Sequence, residues 1–265
     1  GYSETYDRIC KVCGSKYVGG FNPGTQKIEE QVREMFPGVK TLRMDMDTTR
    51  NKNSYDDILS KFSSGEADIL IGTQMIVKGH DFSNVSLVGI LLADLSMFSN
   101  DYRSGEKTFD LLTQAAGRAG RGDIAGDVII QTYNPDNYAL VAASHQDYTD
   151  FYENEIAYRE LMNYPPIWNM LVIFMVSKSE NIVDKAAEDI VSILKGKYKD
   201  EIVIIGPTVA TISKVKDLNR RVVYIKNALY NELVKVKDYV ESYTEDNEAY
   251  KGVMIAFDFN PMNMY

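Results

Sequence analysis

Short apolar runs alternate with stretches of three-to-four-residue periodicity over the first half of the chain. This is the pattern of strands interleaved with amphipathic helices. Strands are expected at residues 16–21, 39–46, 67–71, 85–92 and 127–132. A helix opens at Gly24-Thr25 with Ile28, Val32, Met35 and Phe36 on its apolar side, and Pro37-Gly38 ends it. Further helices are expected at 55–62, ended by Ser64-Gly65, and at about 106–119. Repeated strand–helix units predict an α/β domain with a parallel sheet covered by helices, and ligands gathered at the carboxyl ends of the strands.

The pattern then changes. Residues 134–163 are helical and rich in tyrosine, with helices expected at 138–143 and 147–161, and Tyr164-Pro165-Pro166 stops the second. Beyond it come a strand at 170–176, a helix at 182–194, strands at 202–205 and 221–225, a helix at 230–243 and a strand at 253–258. The order β-α-β-β-α-β is that of a ferredoxin-like split βαβ domain, α+β in class. The expected organisation is 1–15 as a remnant of a metal-binding region, 16–135 as the parallel α/β domain, 136–166 as a helical connector and 167–265 as the split βαβ domain. Trp168, just past the proline pair, reads as a packing residue between domains.

Composition narrows this picture. With 265 residues the chain is long enough for two cores, and 45% hydrophobic with 25% charged residues is ordinary for a globular protein. A formal net charge of −9 supplies no global field that draws the chain to nucleic acid, so any such contact is local. The apolar runs are strand-sized and none reads as a membrane span. Two cysteines in the whole chain argue against a disulfide framework and fit a reducing cytoplasm.

Candidate chemistry concentrates in four places. Gln114-Ala-Ala-Gly-Arg118-Ala-Gly-Arg121, on a continuous helix, puts Gln114, Arg118 and Arg121 on one stripe between residues small enough for a ligand to come close. An amide and two guanidiniums suit a polyphosphate whose charge rises in a transition state. The competing reading is a packing helix with solvated arginines. In the first reading Arg118 and Arg121 project beyond the carboxyl edge of the sheet; burial in a salt bridge favours the second.

Gly72-Thr73-Gln74, running on to Lys78-Gly79-His80-Asp81, places small and hydroxylated residues at a strand end, where N–H groups and a hydroxyl can meet phosphates. Gly24-Thr25 repeats that design at the first helix. Each reads equally as a capped connection. Cys10-Lys-Val-Cys13 is half of a zinc knuckle, and zinc needs four ligands. Opening at Gly1 with half a metal site, the chain reads as a piece cut from a longer one, with no metal of its own. Lys214, Lys216, Arg220 and Arg221 cluster along the sequence near Tyr224, a combination suited to a phosphate backbone or an acidic peptide, or else a solvated loop.

Taken in order, these elements resemble motifs IV, V and VI of superfamily-two helicases, in the second RecA-like lobe. The succession CxxCG, GTQK, DILIGTQMIVKG, LAD and QAAGRAGRG, then Tyr164-Pro165-Pro166 and a split βαβ domain, is similar to the primosomal replication-restart helicases over the whole chain. The resemblance implies an ATP-dependent DNA helicase that moves 3′ to 5′ and reloads the replication machinery at stalled forks. It implies finger roles for Arg118 and Arg121, and phosphate or water positioning by Gln114. Gly79 and Asp81 would lie near the ribose. Gly24, Thr25, Thr73, Gln74 and Lys78 would hold the tracked strand, and Cys10 and Cys13 would be the last pair of a zinc-binding region.

ATP with magnesium and zinc are the implied cofactors of the intact enzyme. The implied partners are forked and single-stranded DNA, other primosome proteins and the acidic tail of single-stranded DNA-binding protein, the last at the C-terminal basic residues. No GxxxxGK[ST] and no DExH box after an apolar strand occur here, so the chain alone is expected to hydrolyse no ATP. A non-catalytic α/β binding module, or the second lobe of another superfamily-two helicase, is the alternative.

Overall fold

The computed structural model describes residues 9, 14, 16, 24–49, 54–77, 82, 84–99, 101–120, 125–245 and 247–265. The chain divides into two compact units: Tyr2–Asp94 with Thr108–Gln146, and Leu95–Lys107 with Asp147–Tyr265. This differs from the expected boundaries in two ways. The helical connector is split, and a short segment from the middle of the first domain packs with the C-terminal one.

In the first unit α1 (Thr25–Met35) precedes β1 (Thr41–Met44), α2 (Ser54–Ser63) and β2 (Ile69–Gly72). β1 and β2 pair in parallel, Thr41 opposite Ile69 and Met44 opposite Gly72. Met44, Leu59 and Phe82 form the buried centre, with Tyr55, Ile58, Phe62, Leu70, Ile76 and Val85 packed against it. Phe82 meets Phe62 edge-on at 5.0 Å. The expected apolar side of α1 is only partly used: Ile28 and Val32 are half-buried, whereas Met35 and Phe36 are exposed. β3 (Leu87–Ile90) and β4 (Asp127–Ile130) make a second parallel pair, joined through α3 (Ser104–Ala116). The described residues therefore carry two parallel pairs where one continuous sheet was expected. The last helix of the unit, α4 (Tyr138–His145), starts at Asn137, whose side chain accepts from the Ala139 N–H.

The second unit holds α5 (Tyr148–Leu161), β5 (Asn169–Ser177), α6 (Glu180–Tyr198), β6 (Val203–Val215), β7 (Leu218–Asn227), α7 (Tyr230–Thr244) and β8 (Met254–Phe259). The sheet order is β6-β7-β5-β8 with every pairing antiparallel, the split βαβ arrangement. On one face Leu171, Ile173, Met175, Val223 and Ile225 pack against Val183, Ala187, Ile190 and Leu194 of α6 and Leu233, Val236 and Val240 of α7. Each such large aliphatic side chain, fully buried, contributes about 1.5–3 kcal/mol. Met170, Val172, Val222 and Tyr224 are buried on the other face. A central strand covered on both faces has no polar side to keep, which is why β5 is an unbroken apolar run. β6 outruns its expectation. Gly206-Pro207 marks a register shift between Ile205 and Thr208 rather than a strand end, and the strand continues to a two-residue turn at Lys216-Asp217.

Candidate nucleotide and nucleic-acid site

Two edges of the first unit carry the residues singled out from the sequence. At the carboxyl edge of β1 and β2, Met44 and Gly72 are cross-strand partners. A Cβ on Gly72 would lie 2.5 Å from the Met44 carbonyl oxygen and 2.7 Å from Ile76 Cγ2, so only glycine permits this approach. Thr73 and Gln74 follow it, both exposed, as the chain enters a 3-10 turn over Gln74–Val77.

Asp45 follows Met44 at the same edge. Its carboxylate accepts from the Thr25 hydroxyl at 2.5 Å and from the N–H groups of Asp47 and Thr48 at 3.0 and 2.9 Å, and it pairs with Arg43 Nε at 3.0 Å. Burial opposes its charge, but the Thr25 hydroxyl, Thr48 and Arg43 together hold its pKa below the ordinary value. The Thr25–Asp45 bond therefore ties the start of α1 to this edge. Gly24 is exposed there as the N-cap, with no side-chain cap of its own. Gly24, Thr25, Thr73 and Gln74 are thus brought to one strand edge. The Thr25 hydroxyl proton is already given to Asp45.

The arginine segment lies elsewhere. α3 ends at Ala116 rather than 119, so Arg118 does not continue the helical stripe that Gln114 begins. Gly117 still donates to Thr113 four residues back, but Arg118 and Ala119 donate only three back, to Ala115 and Ala116. Two small residues flanking Arg118 and a glycine at φ 71° let the chain tighten and leave the helix. Gln114 is exposed on the last turn of α3, and Arg118 is half-buried in the turn that follows.

The Gly120 N–H then donates to Val85 O at 3.1 Å, and the Asp127 N–H to Ser86 O at 2.8 Å, both just ahead of β3. Arg118 therefore sits toward the amino edge of the β3–β4 pair, not beyond a carboxyl edge. The reason is topological: in a parallel β-α-β unit the helix returns the chain to the edge where the next strand begins. At the opposite edge Asp94 is buried, accepting from Thr132 Oγ1 at 2.8 Å and the Tyr133 N–H at 2.9 Å. Burial works against its charge, and those donors keep its pKa low nonetheless.

The four basic residues of the C-terminal unit do not form one cluster. Lys214, 3.5 Å from Asp217, and Lys216 are exposed at the β6–β7 turn. Arg220 and Arg221 alternate across β7. Arg220 lies over the Phe174 ring at 4.7 Å on one face. Arg221 lies on the helix face, bonded to Asp184 at 2.5 and 3.1 Å and to Glu180 at 3.0 Å. A period-two strand cannot put adjacent side chains on one face, so the grouping read from the sequence is corrected here. Cys10, Cys13, Lys78, Gly79, Asp81 and Arg121 lie outside the described residues.

The helicase conserved C-terminal domain matches residues 10–123, a stretch that holds β1, β2, β3 and the arginine turn and ends short of β4. The chain is 40% identical over 265 residues to the replication restart protein PriA of Bacillus subtilis (strain 168), covering 100% of this chain and 33% of that protein. It is 37% identical to PriA of Synechocystis over 89% of the chain and 28% of the relative. PriA of Haemophilus influenzae is 30% identical over 100% of the chain and 36% of the relative. The chain belongs to the PriA family. It spans about a third of the length of the PriA relatives it matches. Among solved structures, the de novo designed protein Foldit4 overlaps 36% of the chain at 9% identity and a TM-score of 0.29, too slight a likeness to bear on the fold.

Membership in the PriA family raises the question of what the residues present could hold. Gln114 and the Arg118 turn offer an amide and a guanidinium, which fit the γ-phosphate side of a nucleotide site and not the phosphate loop. Two thiolates, Cys10 and Cys13, are half of the set that tetrahedral zinc takes. Among the described residues no group of three or more His, Cys, Asp or Glu side chains is arranged to hold a metal ion. Nor, among them, is any helix long and apolar enough to cross a membrane.

Two residues that shape these edges carry no role in the sequence reading. Asp45 is legible as an Asx turn, an aspartate three residues before Thr48 at a strand end. Val85 acts through its backbone carbonyl, which leaves little trace in residue type.

Proposed function

We propose that this chain supplies the second motor lobe and the C-terminal domain of an ATP-dependent 3′–5′ DNA helicase that restarts stalled replication forks and loads the primosome. The observation that carries the reading is the match of residues 10–123 to a helicase conserved C-terminal domain, with 40% identity to a PriA protein over the whole chain. The Arg118 turn lies inside that stretch, its main chain tied through Gly120 to the segment entering β3. Its seat toward the amino edge of the β3–β4 pair departs from the expected carboxyl-edge position, so the finger role rests on the motif and not on that position.

ATP, bound with magnesium in the intact enzyme, supplies the transferable phosphoryl group. Arg118 then neutralises charge on it, and Gln114 orients phosphate or water. Gly24 and Thr25 at the α1 start, with Thr73 and Gln74, hold phosphodiesters of the tracked strand through N–H groups and the Thr73 hydroxyl. That Gly24, Thr25, Thr73 and Gln74 lie at one strand edge and Arg118 at another supports a motor in which nucleotide and strand occupy separate grooves. Lys78, Gly79, Asp81 and Arg121 join these roles by resemblance of sequence alone, as do zinc at Cys10 and Cys13 and a cytoplasmic location. Lys214, Lys216 and Arg220 offer a local basic surface to DNA or to the acidic tail of single-stranded DNA-binding protein. Arg221 is left out, because its guanidinium is committed to Asp184 and Glu180.

The test is Arg118→Ala in the full-length helicase. DNA-stimulated ATP turnover should fall by roughly 10³-fold or more, with nucleotide binding retained. Normal turnover would remove Arg118 from the finger role. Having no GxxxxGK[ST], the chain on its own should be silent as an ATPase.

A further inference from the structure

The approach of Gly126 to the turn that carries Arg118 is tighter than any side chain allows. A Cβ on Gly126 would lie 2.2 Å from the Gly120 nitrogen, 2.5 Å from the Ala119 carbonyl carbon and 2.6 Å from Ala119 Cβ. Two of these three atoms are main chain, so no rotamer change relieves the clash. Gly120 and Gly126 are also the flanks of two strand-entry bonds, Gly120 N–H to Val85 O and Asp127 N–H to Ser86 O. Val85 in turn packs into the core around Met44, Leu59 and Phe82. The main chain one residue after Arg118 is thus pressed between Gly126 on one side and a core-anchored strand entry on the other. The remaining glycine of this strand pair, Gly89 on β3, has nothing within 4 Å of its missing Cβ.

We infer that Gly126 is a positioning residue for Arg118: its lack of a side chain sets where the Ala119–Gly120 peptide lies, and so where the guanidinium is presented. A methyl group at 126 must push that peptide away by roughly an ångström to reach ordinary van der Waals separation. It cannot do so without moving Arg118. The effect of Gly126 passes wholly through the arginine. The inference rests on the finger role proposed for Arg118.

The experiment is Gly126→Ala in the full-length helicase, with Gly89→Ala as the matched control. DNA-stimulated kcat should fall about 10²-fold, the scale expected for a displacement near 1 Å, while KM for ATP stays within twofold. Gly89→Ala should leave both unchanged. Added to Arg118→Ala, the Gly126→Ala change should cost no further turnover, because the group it displaces is already gone. Should Gly126→Ala fail to melt cooperatively, Ala119→Val crowds the same contact from the other side and should give the same loss of kcat at constant KM.

A wild-type kcat in a folded Gly126→Ala protein overturns the inference. So does a loss that adds in full to that of Arg118→Ala, or one that appears in KM. If Arg118→Ala itself turns over normally, the finger reading fails first, and the two failures are told apart.

Discussion

Around Arg118 the chain is located by main-chain groups: Gly120 on Val85, Asp127 on Ser86, and the bare Cα of Gly126 against Ala119. Around Arg159, in the C-terminal unit, location comes from carboxylates. Its Nε donates to Glu155 at 2.7 Å, Nη2 to Glu106 at 2.6 Å and Nη1 to the Pro165 carbonyl at 3.1 Å, with the Tyr102 ring 5.6 Å from the guanidinium. Arg221 follows the second pattern with Asp184 and Glu180. A cation held by carboxylates has its field spent inside the fold. At Arg118 the backbone geometry sets where the side chain starts, so a missing Cβ at Gly126 decides how the guanidinium is presented. Position in a motif and availability for chemistry are therefore separate properties, and only the surroundings distinguish them.

The sharpest break of this comparison is on the structural side. Arg159→Met would break the buried ion pair with Glu155 and the bond to Glu106, and should lower stability by about 3–5 kcal/mol. The paired change Arg159→Met with Glu155→Met removes both charges and should recover most of that loss. Thermal melting of the two variants reads the difference. A single variant that melts within a degree or two of wild type would mean that carboxylates do not locate this arginine.

A smaller effect comes from Glu106 in the same node. The Arg103 bond, then Arg159, pull its pKa from 4.5 to about 2, with burial working the other way. A carboxyl depressed on folding binds its proton more weakly in the folded state than in the unfolded one. Its contribution is then complete above about pH 4.5 and fades as pH falls toward 2. Allowing for solvent screening of a partly exposed group, on the order of 1–2 kcal/mol is at stake. Wild type should lose stability faster than Glu106→Gln between those pH values. Parallel melting curves for the two proteins would contradict it.

How much was legible in the sequence follows the same division. The βαββαβ order and the parallel pairing of the first unit were readable, because each is written in apolar spacing. The end of α3 falls three residues before the expected one: Gly117, Ala119 and Gly120 are compatible with helix or turn, and the bond from Gly120 to Val85 decides. β6 was cut short at Gly206-Pro207, where the usual breaker marks a register shift in an edge strand that continues. The Arg159 node was missed because Glu106 lies far from it in sequence, although Glu155 and Arg159 at i, i+4 were a visible half. Arg118 itself is singled out by motif alone. Its edge of the sheet is not, since spacing along a chain does not say which end of a strand a loop has returned to.

The mildest test separates the two kinds of cation within one strand pair of the C-terminal unit. Lys214 and Lys216 are exposed at the β6–β7 turn, whereas Arg221, five residues further along, is buried against α6. If availability and not sequence position decides, Lys214→Glu with Lys216→Glu should weaken single-stranded DNA binding about tenfold at low salt and flatten its salt dependence. Arg221→Gln should leave affinity and salt slope where they were, and should cost roughly 1 kcal/mol of stability or less, its partners Asp184 and Glu180 being open to solvent. Equal losses of affinity from both changes would mean that Arg221 leaves α6 when DNA arrives, and that carboxylate pairing does not withdraw a cation from function here. Loss from Arg221→Gln alone would move the surface off the turn altogether and onto the helix face of β7.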